Sequence, residues 1–260
     1  MHALMSLAAL HIAYLDTRSR RKHILDAIRH HNLSLQGFRE TIDKLNDDNA
    51  DALFACSTIN FIYVFGVSGA DEDDAYSAKR KSRLLGAEWI PMVRGVRAVL
   101  GAVMERVRVG PLGDLLYLDN WGDLDTERDP VPNDDRFRGM RTAWEKGDDA
   151  ALYDETLATF RRCYLYVTRH SLSSDSGLKK AWAGPLIFLF MAPEEYFTRL
   201  HQRQPPALVL LCHFCAVLHD FRHFWFLDGW PRDIVEAADE ILGDYWRPWT
   251  TWPREVVGLA

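Results

Sequence analysis

From His2 to Tyr245 the apolar residues recur at three- and four-residue spacing, and no convincing alternating series or Asn-Gly hairpin signal interrupts them. That period leaves one fold class, an all-α chain of about ten helices. The segments that carry it run over about His2–Asp16, Ser19–Leu45, Ala50–Gly66, Pro91–Val107, Pro132–Lys146, Ala150–His170, Leu178–Leu189, Pro193–Gln202, Pro206–Leu227 and Pro231–Tyr245. Several starts carry a first-turn proline with acidic neighbours: Pro193 precedes Glu194 and Glu195, and Pro231 precedes Asp233. Gly66, Gly110 and Gly229 stand where helices should stop. Ser68–Arg83 and Asp119–Asp135 read as polar surface loops. With no internal repeat and no long linker, residues 1–260 are expected to form a single domain.

A 260-residue chain that is 48% apolar can bury a substantial core. Its net charge of -6 gives no general attraction for nucleic acid or an anionic membrane, so no direct nucleic-acid partner is expected. Four unevenly spaced cysteines, Cys56, Cys163, Cys212 and Cys215, read as free thiols of a reducing compartment rather than a disulfide framework. At the N-terminus the apolar segment precedes the basic one, the reverse of a signal peptide. The longest apolar run meets His213 and then Asp220 before reaching the roughly 18 residues of a membrane span. The expected location is nucleus or cytoplasm.

CHFCAVLHDFRHFW, Cys212–Trp225, is the densest chemical stretch. On one continuous helix Cys215, His219 and His223 would share a stripe at i, i+4 and i+8, a spacing that permits a metal. The glutamate of H-E-x-x-H, a second C-x-x-C and a declared fourth ligand are all missing, so packed thiols and hydrogen-bonded histidines are the expectation, with no metal and no cofactor. DDNAD, Asp47–Asp51, spells the D-D-x-x-D of class I terpene synthases, but DDAYSAKRK carries Lys81 where the second triplet needs glutamate. Helix capping explains it better. Asp123, Asp125 and Glu127 alternate as calcium ligands do, yet the loop lacks the glycine and closing glutamate of an EF-hand. KRKSR, Lys79–Arg83, is either an import signal or half of a charge-balanced loop.

Aromatic residues concentrate toward the C-terminus. Phe214, Phe221 and Trp225 would fall on one face of a long helix beside Leu210 and Val217. Such a stripe is core in most proteins, and it also suits the wall of an apolar ligand cavity. Burying about 400 Å² of a rigid apolar ligand supplies on the order of 10 kcal/mol gross.

Taken in order, MSLAALHIAYL, NADALFACSTINFIYVFG, WIPMVRGVRAVL, the GPL at Gly110–Leu112, LVLLCHFCAVLHDFRHFWFLDGWPRDIV and YWRPWTTWP resemble the C-terminal domain of fungal zinc-cluster transcription factors of the sterol uptake control type. The resemblance spans nearly the whole chain, and the W-x-x-x-G-W pattern at Trp225–Trp230 is its most specific part. It implies an all-helical domain with a hydrophobic sterol pocket and commonly a homodimer. The family's six-cysteine DNA-binding module is absent, so a regulatory role is expected to be indirect or to belong to a longer parent protein. Asp228 stands where relatives often carry a basic residue.

Two functions follow as expectations. In the first, the chain binds a sterol or terpenoid-like apolar small molecule, with Phe54, Phe61, Trp89, Phe214, Phe221 and Trp225 as the pocket wall. In the second, the same pocket serves a standalone enzyme of terpenoid or polyketide biosynthesis performing a cyclisation, isomerisation or cycloaddition. There His213, His219, Asp220 and His223 are the candidates for acid, base or hydrogen-bond donor.

Overall fold

The computed structural model describes residues 1–68, 81–87, 89–116, 118, 120–171, 181 and 183–259. Among them it contains eleven α-helices, short 3-10 and π turns and no strand, which is the all-α class that the periodicity predicts. The contacts divide the chain into two compact units, residues 1–117 with 222–230, and residues 118–221 with 231–260. The first unit holds α1 (His2–Leu15), α2 (Arg20–Ile42), α3 (Ala50–Ser68) and α4 (Trp89–Val109). The second holds α5 (Asp134–Gly139), α6 (Ala150–Ser171), α7 (Ala183–Met191), α8 (Glu194–His201), α9 (Pro205–Leu218), most of α10 (Trp230–Leu242) and α11 (Arg247–Val257). Most of the loop Ser68–Arg83, the motif DDAYSAKRK apart from Lys81, part of KRKSR and the start of the Leu178–Leu189 helix lie outside the described residues.

Each unit is organised around a helix that is apolar on all sides, because such a helix has no face to give to water. In the first unit this is α3, which packs against α1, α2 and α4 and against the Trp225–Leu227 turn. Its segment Ala50–Val67 is long and apolar enough to cross a membrane by length and composition, and half of it is buried. A core helix passes the same test. In the second unit it is α9, whose residues from Ala207 to Leu218 are all buried and packed against α6, α7, α8 and α11. The amphipathic α4 turns Trp89, Ile90, Val93, Val96, Val99, Val103 and Val107 inward at helical spacing. By contrast, α1 buries Ala3, Ser6, Leu10 and Ala13 and leaves Leu4, Met5, Ile12 and Leu15 exposed on its other side.

Three boundaries differ from the sequence reading. The helix expected over Pro206–Leu227 ends at Leu218; a 3-10 turn at His219–Phe221 and another at Trp225–Leu227 follow. His, Asp and Phe are weak helix formers, and the segment after Phe221 belongs to the other unit. The helix expected over Pro132–Lys146 is a short α5 continued as a 3-10 turn at Met140–Ala143. Helix α11 has no counterpart in the sequence reading; Pro248 lies in its first turn and Pro253 is buried inside the helix. Gly66 does not end its helix. A Cβ there would lie 2.9 Å from Leu10 Cδ2 and 3.1 Å from the Trp225 ring, so the glycine opens the notch in which Trp225 rests.

Candidate ligand cleft

The acidic stretch after Asn120 is a clamped loop, and its clamps are arginines of α6. The loop folds on itself first. Asp125 accepts hydrogen bonds from the Glu127 and Arg128 amides, and the Asp125 amide donates to Asp129. Arg161, nearly buried, then reaches across, donating to Asp134 from Nε at 2.6 Å, to Glu127 at 2.9 Å and to the Thr126 carbonyl at 3.1 Å. Arg138 completes the network on Glu127 and Asp134, and Arg169 pairs with Asp129 at 2.9 Å. Hydrogen bonds from Arg138 and Arg161 hold the Glu127 carboxyl below its ordinary value. Burial would raise Asp134, but Arg161 and Arg138 outweigh it and the carboxyl is lowered. The Asp125 amide, with Arg169, lowers Asp129. Of the carboxylates that alternate like calcium ligands, Asp125 is thus occupied by loop amides and Glu127 by arginines.

Arg162, the next residue on α6, makes a different contact. Its Nη2 donates to the Trp121 carbonyl at 2.6 Å, and its guanidinium lies 4.6 Å from the centre of the Trp121 ring. The loop and the helix so joined enclose a cleft of about 770 Å³, within the range of small-molecule sites. Trp121, Leu124, Ala158 and Met191 supply apolar surface; Asp123, Asp125, Thr126, Arg128, Thr159 and Arg162 supply polar groups. Nothing in the sequence marks this cleft, since its floor is an irregular loop with no period.

None of the six aromatic residues expected as a pocket wall lines this cleft. Phe54, Phe61 and Trp89 are buried in the first unit, where Phe61 packs edge-on against Phe65, Phe65 against Trp230, and Trp230 against Trp89. The Trp89 indole N–H donates to the Leu84 carbonyl at 2.8 Å. Trp225, half-buried in the same unit, stacks on His11 with ring centres 4.9 Å apart. Asp228 beside it accepts the Tyr14 hydroxyl and raises the pKa of that tyrosine. Phe214 and Phe221 are buried in the second unit, Phe214 with its ring 5.1 Å from that of Phe188. The single stripe Phe214–Phe221–Trp225 does not form, because the helix that would carry it stops at Leu218.

The four polar candidates also disperse. His213 is buried on α9, its Nδ1–H donating to the Val209 carbonyl at 3.0 Å and its ring packed near Phe137 and Trp252. Burial lowers its pKa to about 4, so it is a neutral core imidazole at neutral pH. His219 and Asp220 lie in the 3-10 turn, and His223 lies beyond it with its ring against Phe224. The expected i, i+4, i+8 alignment with Cys215 is lost where the α-helix ends.

All four cysteines are free thiols, and burial pushes Cys163, Cys212 and Cys215 above the ordinary thiol value. Among the described residues no three His, Cys, Asp or Glu side chains converge as metal ligands. In DDNAD, the Asp47 carbonyl accepts from Arg106 and the Asp51 carboxylate lies against Gly110, while Asn46 and Asn49 fold the turn that opens α3. Asp51 stands in the first turn of α3, where a carboxylate is favoured, but the turn itself is folded by the asparagines. No known family model, curated protein or solved structure matches the chain.

Proposed function

We propose that this chain is a helical binding module for a small molecule of the sterol or terpenoid class, related in design to the effector domain of fungal zinc-cluster regulators. The cleft between the Trp121–Arg128 loop and α6 carries this reading: its volume suits such a molecule, and Trp121, Leu124, Ala158 and Met191 form an apolar bed. The polar groups around that bed favour an amphipathic ligand over a wholly apolar one. The loop is held by buried or partly buried arginine contacts, so the bed is formed before a ligand arrives, which lowers the ordering cost of binding. The exposed side of α1 supports the homodimer that the resemblance implies. Leu4, Met5, Ile12 and Leu15 there present an apolar stripe on the order of a few hundred Å², the scale at which exposed patches mark contacts.

The test is uptake. Purified protein is extracted and the released small molecules are identified by mass spectrometry, and thermal unfolding is followed with ergosterol and with a diterpene panel. A ligand at a hundred times its Kd adds about 2.7 kcal/mol of stability, a rise in Tm of about 5–10 °C for a chain of this size. Trp121→Ala removes the rise. A chain that yields no apolar molecule and shows no shift with any of the panel is not a binding module of this kind.

A further inference from the structure

We infer that the ligand of the cleft is a monoanion, an amphipathic carboxylic acid whose carboxylate pairs with Arg162 while its apolar body lies on Trp121, Leu124 and Met191. This rests on the binding reading above and specifies its chemistry. The observation behind it is an arginine left without a counter-charge. Arg161, Arg138, Arg141, Arg169 and Arg199 each meet a carboxylate at 3.0 Å or less. Arg162, on the same helix as Arg161 and Arg169 and in the cleft wall, meets only the Trp121 carbonyl and the face of its indole. Its Nε is buried with no hydrogen-bond partner, and among the described residues no carboxylate is paired with it.

A buried donor on a permanent cation is costly to leave unpaired, and a bidentate carboxylate is the group that an arginine fork fits. The stack on Trp121 holds the guanidinium plane in place before a ligand binds. The chain as a whole is negative, so diffuse attraction does not bring anions here; a bound anion must be recognised locally. Asp123 and Asp125 on the cleft wall set the limit on charge. Asp125 is engaged by two loop amides, but Asp123 adds negative potential that a dianion such as a phosphate monoester meets at greater cost than a carboxylate.

The probes are abietic acid, its neutral methyl ester and a diterpenyl monophosphate, titrated into the full chain at pH 7.5 with calorimetry and tryptophan fluorescence. The acid is expected to bind at least about tenfold more tightly than the ester and more tightly than the phosphate, in keeping with a charge-assisted pair. Arg162→Gln is expected to erase the acid's advantage over the ester, read as the ratio of the two affinities because Arg162 also holds Trp121, while Arg162→Lys keeps part of it. Asp123→Asn changes an exposed residue and gives a reading even where Arg162 variants fold poorly: the ratio of acid to ester affinity rises about two- to threefold. Equal binding of acid and ester, an acid preference that survives Arg162→Gln, or tighter binding of the phosphate overturns the inference and leaves the binding reading standing. Binding of none of the three overturns the inference, and the extraction and the ergosterol panel then decide the binding reading separately.

Discussion

Two histidines set the acid limit of this fold residue by residue. His213 sits in the α9 core, and His31 is stacked on Tyr63 with ring centres 3.9 Å apart; burial lowers each to about 4 from an ordinary 6.5. A folded pKa below the unfolded one means that the unfolded chain binds more protons between these values. The stability is therefore complete above about pH 6.5 and drains as pH falls toward 4. The Tm is expected to drop on the order of 5 °C or more between pH 7 and pH 4.5. His213→Gln, which still donates to the Val209 carbonyl without charging, should flatten that slope when unfolding is followed across pH. Below pH 4 a second loss follows, as the lowered carboxyls of Asp134, Glu127 and Asp129 protonate and release their arginines. Sequence reading placed His213 in a helix of packed residues, but only its neighbours Val209, Phe137 and Trp252 make it a core imidazole rather than an acid–base group.

At the scale of elements, the helix period was a reliable guide wherever a segment was amphipathic or uniformly apolar, as in α3, α4 and α6. It failed at the ends of α9 and at α11, where local propensity and proline argue one way and packing another. Trp252 of α11 rests against Phe137 and His213, Thr250 and Arg254 both bind Asp239, and these contacts hold a helix that its prolines would otherwise disfavour. The loop before α5 is the other tertiary decision. Arg161 joins it through partners 27 to 35 positions earlier in the chain, a relation no short motif displays. Arg161→Met should cost about 2 kcal/mol, less than the ~3–5 of a fully buried pair because Glu127 and Asp134 retain water contact. It should also free the loop, seen as faster amide hydrogen exchange over residues 121–129 and a loss of ligand uptake with α6 itself still protected.

For the whole molecule, the proposed homodimer would pair two copies of the chain symmetrically through the exposed stripe of α1. Sedimentation velocity should show a dimer that Leu4→Glu with Leu15→Glu converts to monomer, with ligand uptake retained because the cleft belongs to the other unit. A wild-type monomer at high concentration removes the dimer. By itself the sequence determined the all-helical class and the apolar helices α3 and α9, because the spacing and density of apolar residues set what must leave water. Only the tertiary structure decided which aromatic residues are core, that the chain packs as two units, and that a clamped acidic loop forms a cleft on α6. Periodicity says that a face is buried but carries no information about what lies against it, and the arginine pairs that shape the cleft join positions far apart along the chain.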